Sequence, residues 1–173
     1  TFEILRQVAA AREKALIFVE SLDMQTALAA MVKREFNLPK LPMIINGSVS
    51  GEKRQRTVEE FQKNRGKFDV MILSPKAGGV GLTLTAANHV IHLSRWWNPA
   101  VEDQCTDRIS RIGQTARLVR VYYPLAVHPV IGESSFDVKL NELLEKKRSL
   151  SRDLLIMPPV LPGEDESKLF KET

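Results

Sequence analysis

Two short runs constrain the fold more than any other feature of the chain. Lys14–Ser21 (KALIFVES) and Phe68–Leu73 (FDVMIL) are nearly continuously apolar, without alternation between apolar and polar positions. A strand that reads this way has both faces buried, as in a parallel sheet covered by helices. The segments around these runs carry helical spacing. Asp23–Phe36 places Leu28, Met31 and Val32 on one helical stripe before Pro39 and Pro42 interrupt it. Met43–Ile45 reads as a short strand ending at the turn pair Asn46-Gly47. Ser50 suits the cap of a helix to about Asn64, with Val58 and Phe61 facing inward. A strand at about His89–Leu93 precedes Asn98-Pro99, a cap and first-turn proline for a helix to about Ile112, which Gly113 ends. Leu118–Leu125 reads as the last strand, and Phe136–Leu155 as a long charged amphipathic helix. Strands alternating with helices predict an α/β fold with a mostly parallel central sheet. Ligands of such sheets bind beyond the carboxyl ends of the strands, where the loops after Leu73 and before Asn98 lie.

At 173 residues, 43% hydrophobic and 27% charged, the chain has the size and make-up of about one globular domain. This excludes a disordered tail, a collagen-like repeat and a disulfide scaffold. The single cysteine, Cys105, excludes an internal disulfide and a multi-cysteine zinc site. No apolar run approaches the ~20 residues of a membrane helix, so no membrane partner is expected. The opening TFEILRQVAAAREK is charged, lacks the shape of a signal peptide and lacks an initiator Met, so the chain reads as a piece of a longer protein. The net charge is +4, and Lys53–Arg120 carries 12 basic against 6 acidic residues. A basic segment suits a polyanion such as nucleic acid or nucleotide phosphate; a solvated mixed-charge surface accounts for the same balance.

Four constellations can carry chemistry. Ser74-Pro75-Lys76-Ala77-Gly78-Gly79-Val80-Gly81 follows a buried strand directly. Glycines there let backbone N–H groups approach a phosphate, or simply make a tight turn. No Gly-Lys-Ser/Thr occurs in the chain, so a Walker A loop is missing. In the helix after Asn98, Val101, Cys105, Ile109 and Ile112 form the apolar stripe, which makes Cys105 a small core residue. Gln104, Arg108 and Arg111 share another face, offering two guanidiniums and an amide to a phosphate or to nearby acids. Of the adjacent Trp96 and Trp97, one packs and the other is free for a base, a sugar or a partner lobe. Finally, Asn46-Gly47-Ser48-Val49-Ser50 runs into the basic stretch Glu52–Arg56 at a helix start, suited to an anion or to ordinary capping. His89, His92 and His128 lack metal-ligand spacing and are assigned structural roles, with no metal site.

Taken in order, these segments resemble the second, C-terminal RecA-like lobe of Swi/Snf-type ATP-dependent DNA translocases, a branch of helicase superfamily two. KALIFVES resembles the lobe's opening strand, and INGSVSGEKRQRTVEEF the motif after it. LSPKAGGVGLTLTAAN resembles motif V, and WWNPAVEDQCTDRISRIGQT the Trp-Asn-Pro segment with motif VI. The resemblance runs from about Lys14 to Tyr123. It implies a three-layer RecA-like domain over residues 1–130, a closing helix over 131–156 and a flexible tail over 157–173. It also implies that Arg108 and Arg111 act catalytically on ATP with Mg2+ held mainly by an N-terminal lobe of the same protein. Gly79, Gly81 and Gln104 would face the nucleotide. Gly47, Ser48, Ser50, Lys76 and Trp97 would lie on the side that touches double-stranded DNA. The isolated chain is then expected to be inactive. Pro75 and Val49 stand where the family usually has Thr, Ser94-Arg95 where an Asp is common, and Ser110 where a His is usual. Pro75 puts one phosphate contact in question, since it lacks an N–H. The wording of the Trp-Trp-Asn-Pro segment resembles bacterial members, implying a cytoplasmic, nucleoid-associated protein (nuclear in a eukaryote). An RNA or strand-separating helicase lobe and a non-catalytic nucleic-acid docking module are the alternative readings.

Overall fold

The computed structural model describes residues 1–63, 66–78, 82–107 and 118–155. Five strands form one sheet: β1 (Lys14–Phe18), β2 (Met43–Ile45), β3 (Asp69–Leu73), β4 (His89–His92) and β5 (Arg120–Tyr122). Their order is β2-β3-β1-β4-β5, and every pairing is parallel. All five residues of β1 are buried, as its unbroken apolar run requires. Lys14 is included; its ammonium accounts for itself by donating to the carbonyls of Phe61 and, at 2.6 Å, Lys63. These are carbonyls at the end of a helix, where a cation is favoured.

The helices are α1 (Phe2–Ala10), α2 (Leu22–Glu35), α3 (Gly51–Gln62), the single turn α4 (Pro75–Gly78), α5 (Pro99–Thr106) and α6 (Phe136–Leu155). The sheet's two faces carry separate apolar clusters. One joins Leu5, Val8, Leu28 and Val32 of α1 and α2 to Ile17, Ile72 and Ile91. The other joins Val58 and Phe61 of α3 and Cys105 of α5 to Leu16, Met71 and Val90. Alternate residues of each strand therefore feed opposite layers, giving a three-layer RecA-like domain.

Several boundaries differ from the sequence expectation. α1 forms within the charged opening segment, to which the sequence pattern assigns no element. The last strand is only Arg120–Tyr122. α5 is described over Pro99–Thr106, and the expected helix end near Ile112 lies outside the described residues. Met31, expected on the buried stripe of α2, is 44% exposed, whereas Gln25 is fully buried there. The tail 157–173 also lies outside the described residues.

Candidate nucleotide and nucleic-acid interface

Strand register sets the site. Phe18 is level with Leu73 and with His92, and Ile45 with Leu73. Four strands thus end together, and the loops after them share the carboxyl edge of the sheet.

The loop after β2 is pinned from below. Asn46 Nδ2 donates to Gln25 Oε1 at 3.1 Å, and the buried Gln25 donates to the Val19 carbonyl at 2.7 Å. Asn46 Oδ1 accepts from the Ser48 N–H at 3.1 Å and from Ser48 Oγ at 2.6 Å. This Asx-type turn leaves Gly47 and Ser48 exposed at the tip. Ser50 Oγ accepts from the Lys53 N–H at 3.4 Å and caps α3, as its position predicted. A Cβ built on Gly47 would meet nothing within 4 Å, so the fold alone does not demand glycine there.

The loop after β3 starts beside it, with the Ser74 N–H bonded to the Ile45 carbonyl at 3.0 Å. Ser74 Oγ accepts from the Ala77 N–H at 3.2 Å. Pro75 therefore opens α4 at a position where an amide N–H has no helical partner to lose. Its carbonyl takes the Cys105 thiol at 3.6 Å, which fixes α5 over this turn. Lys76 is exposed, with its Nζ 6.0 Å from the centre of the Trp96 ring. That contact joins the β3 and β4 loops across the end of β1.

After β4 the two tryptophans divide as expected. Trp96 is half-buried, and Trp97 is 60% exposed, edge-on to Phe136 at 6.3 Å. Asn98 Oδ1 caps α5 by accepting from the Ala100 N–H at 3.0 Å, with Pro99 in the first turn. Gln104 is exposed on α5. Gly79, Gly81, Arg108 and Arg111 lie outside the described residues. The histidines are built into the fold. His89 contacts Glu13 and the Tyr122 hydroxyl, while His92 meets Thr106 Oγ1 at 3.1 Å. Burial pushes the His92 pKa down to about 4, so its ring is neutral near pH 7. Among the described residues no group of three His, Cys, Asp or Glu could hold a metal ion. No described helix is long and apolar enough to cross a membrane.

Sequence reasoning missed the charged seam beneath the tryptophans. Glu102 on α5 is 1% exposed. Its carboxylate accepts from Arg95 Nε at 2.9 Å, from the Trp96 N–H at 3.0 Å and from Arg148 of α6 at 2.8 Å. Burial opposes the charged form, but the Arg95 bonds, the Trp96 amide and Arg148 outweigh it and hold the pKa below the carboxylate norm. The Arg95 and Arg148 guanidiniums lie 4.3 and 5.2 Å from the centre of the Tyr123 ring. One signal was present: Glu102 precedes the buried Cys105 by three residues and so sits toward the inward side of α5.

A family model for the helicase conserved C-terminal domain matches residues 1–113. The chain is similar to the Zorya protein ZorD of Escherichia coli, 43% identical over 92% of this chain and 15% of that protein. It is also similar to the putative ATP-dependent helicase/translocase YwqA of Bacillus subtilis, 41% identical over 88% of this chain and 15% of that protein. The chain thus spans about 15% of the length of these relatives. Among solved structures, the C-terminal part of the Fun30 ATPase domain superposes with a TM-score of 0.71, at 28% identity over 83% of this chain and 43% of that one. The Sulfolobus solfataricus SWI2/SNF2 ATPase core in complex with dsDNA superposes with a TM-score of 0.64, at 32% identity over 89% of this chain and 30% of that one.

Proposed function

The chain belongs to the helicase conserved C-terminal domain family, as the second lobe of a Swi2/Snf2-type ATPase, and from that premise we propose that it is half of an ATP-driven translocase on double-stranded DNA. The observation that supports this reading is the level carboxyl edge: the segments that follow its strands carry Ser48, Ser50, Lys76 and Trp97, each of them exposed. Lys76 supplies charge, Ser50 supplies a hydroxyl donor, Ser48 would donate on release from Asn46 Oδ1, and the open space above Gly47 admits a sugar-phosphate backbone. Trp97, 60% exposed, would add an aromatic ring to this contact.

ATP is the substrate, held with Mg2+ chiefly by the N-terminal lobe of the same protein. Gln104, exposed on α5, would contact it, and Gly79 and Gly81 take the same role by their resemblance to motif V. Arg108 and Arg111 complete the site on closure and stabilise charge on the phosphoryl group in transit, as arginine fingers do. Hydrolysis then reopens the cleft and advances the lobes along the duplex. Residues 1–130 form the lobe proper, and the helix within 131–156 closes it.

ATP hydrolysis tests the reading, measured with and without duplex DNA on this chain and on the full-length protein. Only the longer protein should hydrolyse ATP, and duplex DNA should stimulate it. Arg111→Ala in that protein should lower kcat by roughly 10³-fold, with the KM for ATP much less affected. A full-length protein inert with DNA present, or an Arg111→Ala protein of normal turnover, would overturn the half-motor assignment. Separation of a forked duplex would instead favour a strand-separating helicase.

A further inference from the structure

Gln25 is a fully buried polar side chain in the first half of α2, and its amide is spent on the carboxyl edge of the sheet. Its Nε2 donates to the Val19 carbonyl, just past β1, at 2.7 Å. Its Oε1 accepts from Asn46 Nδ2, just past β2, at 3.1 Å. β3 lies between those two strands, and the residue that follows it, Ser74, donates its N–H to the Ile45 carbonyl at 3.0 Å. One buried amide therefore bridges the ends of β1 and β2 across the end of β3.

This chain of bonds has a fixed direction. The Ser48 N–H can only donate, so Asn46 turns Oδ1 toward it, at 3.1 Å, and Nδ2 toward Gln25. The Val19 carbonyl can only accept, so Gln25 turns Nε2 toward it and Oε1 toward Asn46. Neither amide can flip without setting like groups against each other. At the exposed end, Ser48 Oγ donates to Asn46 Oδ1 at 2.6 Å, so its proton is spent within the turn. A phosphate oxygen only accepts, so this hydroxyl must rotate off Asn46 to meet one. Among the described residues, the Asn46 side chain is otherwise held by Gln25. We propose that Gln25 is a positioning residue for the duplex contact: it holds Asn46, and through Asn46 the Ser48 backbone, while the Ser48 hydroxyl turns to a DNA phosphate. This rests on the half-motor reading above and on its assignment of Ser48 to DNA. Without Gln25, Asn46 is anchored by Ser48 alone, and the rotation that makes the phosphate contact loosens the turn that aims it.

Duplex binding by the full-length protein, read by fluorescence anisotropy at fixed salt, tests this. Gln25→Met keeps the length and the burial but neither bond. It should weaken duplex binding about 3- to 10-fold, approaching the loss of one hydrogen bond to a charged group, and Ser48→Ala should weaken it about 10-fold. The decisive arm is the double-mutant cycle. If Gln25 acts through Ser48, Gln25→Met costs less than about twofold on the Ser48→Ala background. A glutamine that only supports the fold lowers the melting temperature but shows no such coupling in affinity. If Gln25→Met does not fold, Asn46→Ala cuts the same chain at a half-buried loop position and carries the same cycle. Unchanged affinity, or an equal loss in both backgrounds, would overturn the proposal. So would normal binding by Ser48→Ala where Lys76→Ala binds weakly, an outcome that leaves the duplex reading standing. If neither Ser48→Ala nor Lys76→Ala alters duplex affinity, it is the half-motor reading that has failed.

Discussion

Replacing Glu102 by Gln tests the charged seam with almost no change of shape. The carboxylate is buried and satisfies Arg95, Arg148 and the Trp96 N–H at once. Arg148 has Asp103 and Glu145 in reserve. Among the described residues Arg95 otherwise has the amide oxygen of Asn141 and the Tyr123 ring, and its side chain is 3% exposed. The substitution therefore leaves one desolvated guanidinium without a counter-charge. Breaking a buried pair from one side costs about 3–5 kcal/mol, and the surviving amide oxygen places this case near ~3 kcal/mol. At roughly 2–4 °C per kcal/mol for a chain of this size, the melting temperature of the 173-residue chain should fall by about 6–12 °C. Thermal unfolding followed by circular dichroism reads this directly. Adding Arg95→Met removes the orphaned charge and should restore at least about 1 kcal/mol. A single variant melting within about 2 °C of the parent, or a double variant no more stable than the single, would refute the reasoning.

Lys76→Ala in the full-length protein should weaken duplex binding equally for all sequences, because phosphates carry no sequence information. The slope of log affinity against log salt should shrink by roughly 1, and a sequence-dependent loss would count against the phosphate contact. His92 gives an acid dependence: its folded pKa of about 4 lies below the ordinary 6.5, so between those values the unfolded chain binds a proton that the folded chain does not. Stability should be flat above about pH 6.5 and decline by up to about 3 kcal/mol toward pH 4, and denaturant midpoints for His92→Gln should show a shallower decline. Glu102 adds a loss of the same sign as its carboxylate protonates below the ordinary value.

Local chemistry was legible where one residue's neighbours in sequence are also its neighbours in space. Ser50 and Asn98 cap the helices they precede, and Pro99 stands in a first turn, because each motif spans three or four residues. β1 and β3 were legible because burial on both faces erases alternation. Met31 was misjudged because periodicity marks a stripe without its edges, and Gln25 occupies the buried place through a hydrogen bond to Val19, which no pattern of apolar residues reveals. Pro75 fits the fold locally, since Ser74 Oγ accepts from the Ala77 N–H in the turn that Pro75 opens. Arg95, Glu102, Tyr123 and Arg148 come from four separate segments, and only the fold brings them into one cluster.

The kind of contact that holds α6 bears on how the lobe works. Both apolar clusters of the sheet are built mainly from strands, α1, α2, α3, α4, α5 and the loop segment 82–87; among the described residues neither includes one from α6. The helix is held by Leu140 and Leu144 and by hydrogen bonds to the loop after β4 and to α5. An apolar helix docked on the sheet would be fixed to the core regardless of what the carboxyl edge was doing. A helix tied through Asn141, Lys147 and Arg148 is fixed instead to the edge itself, because these bonds end on Arg95, Trp97, Glu102 and Asp103 and on Tyr123 just after β5. Hydrogen bonds also tolerate less displacement than apolar contact does, since they weaken steeply as distance and angle depart from ideal. Any shift of Trp97 or α5 must therefore either carry α6 along or break these bonds, so the charged seam couples the loop after β4 and α5 to α6.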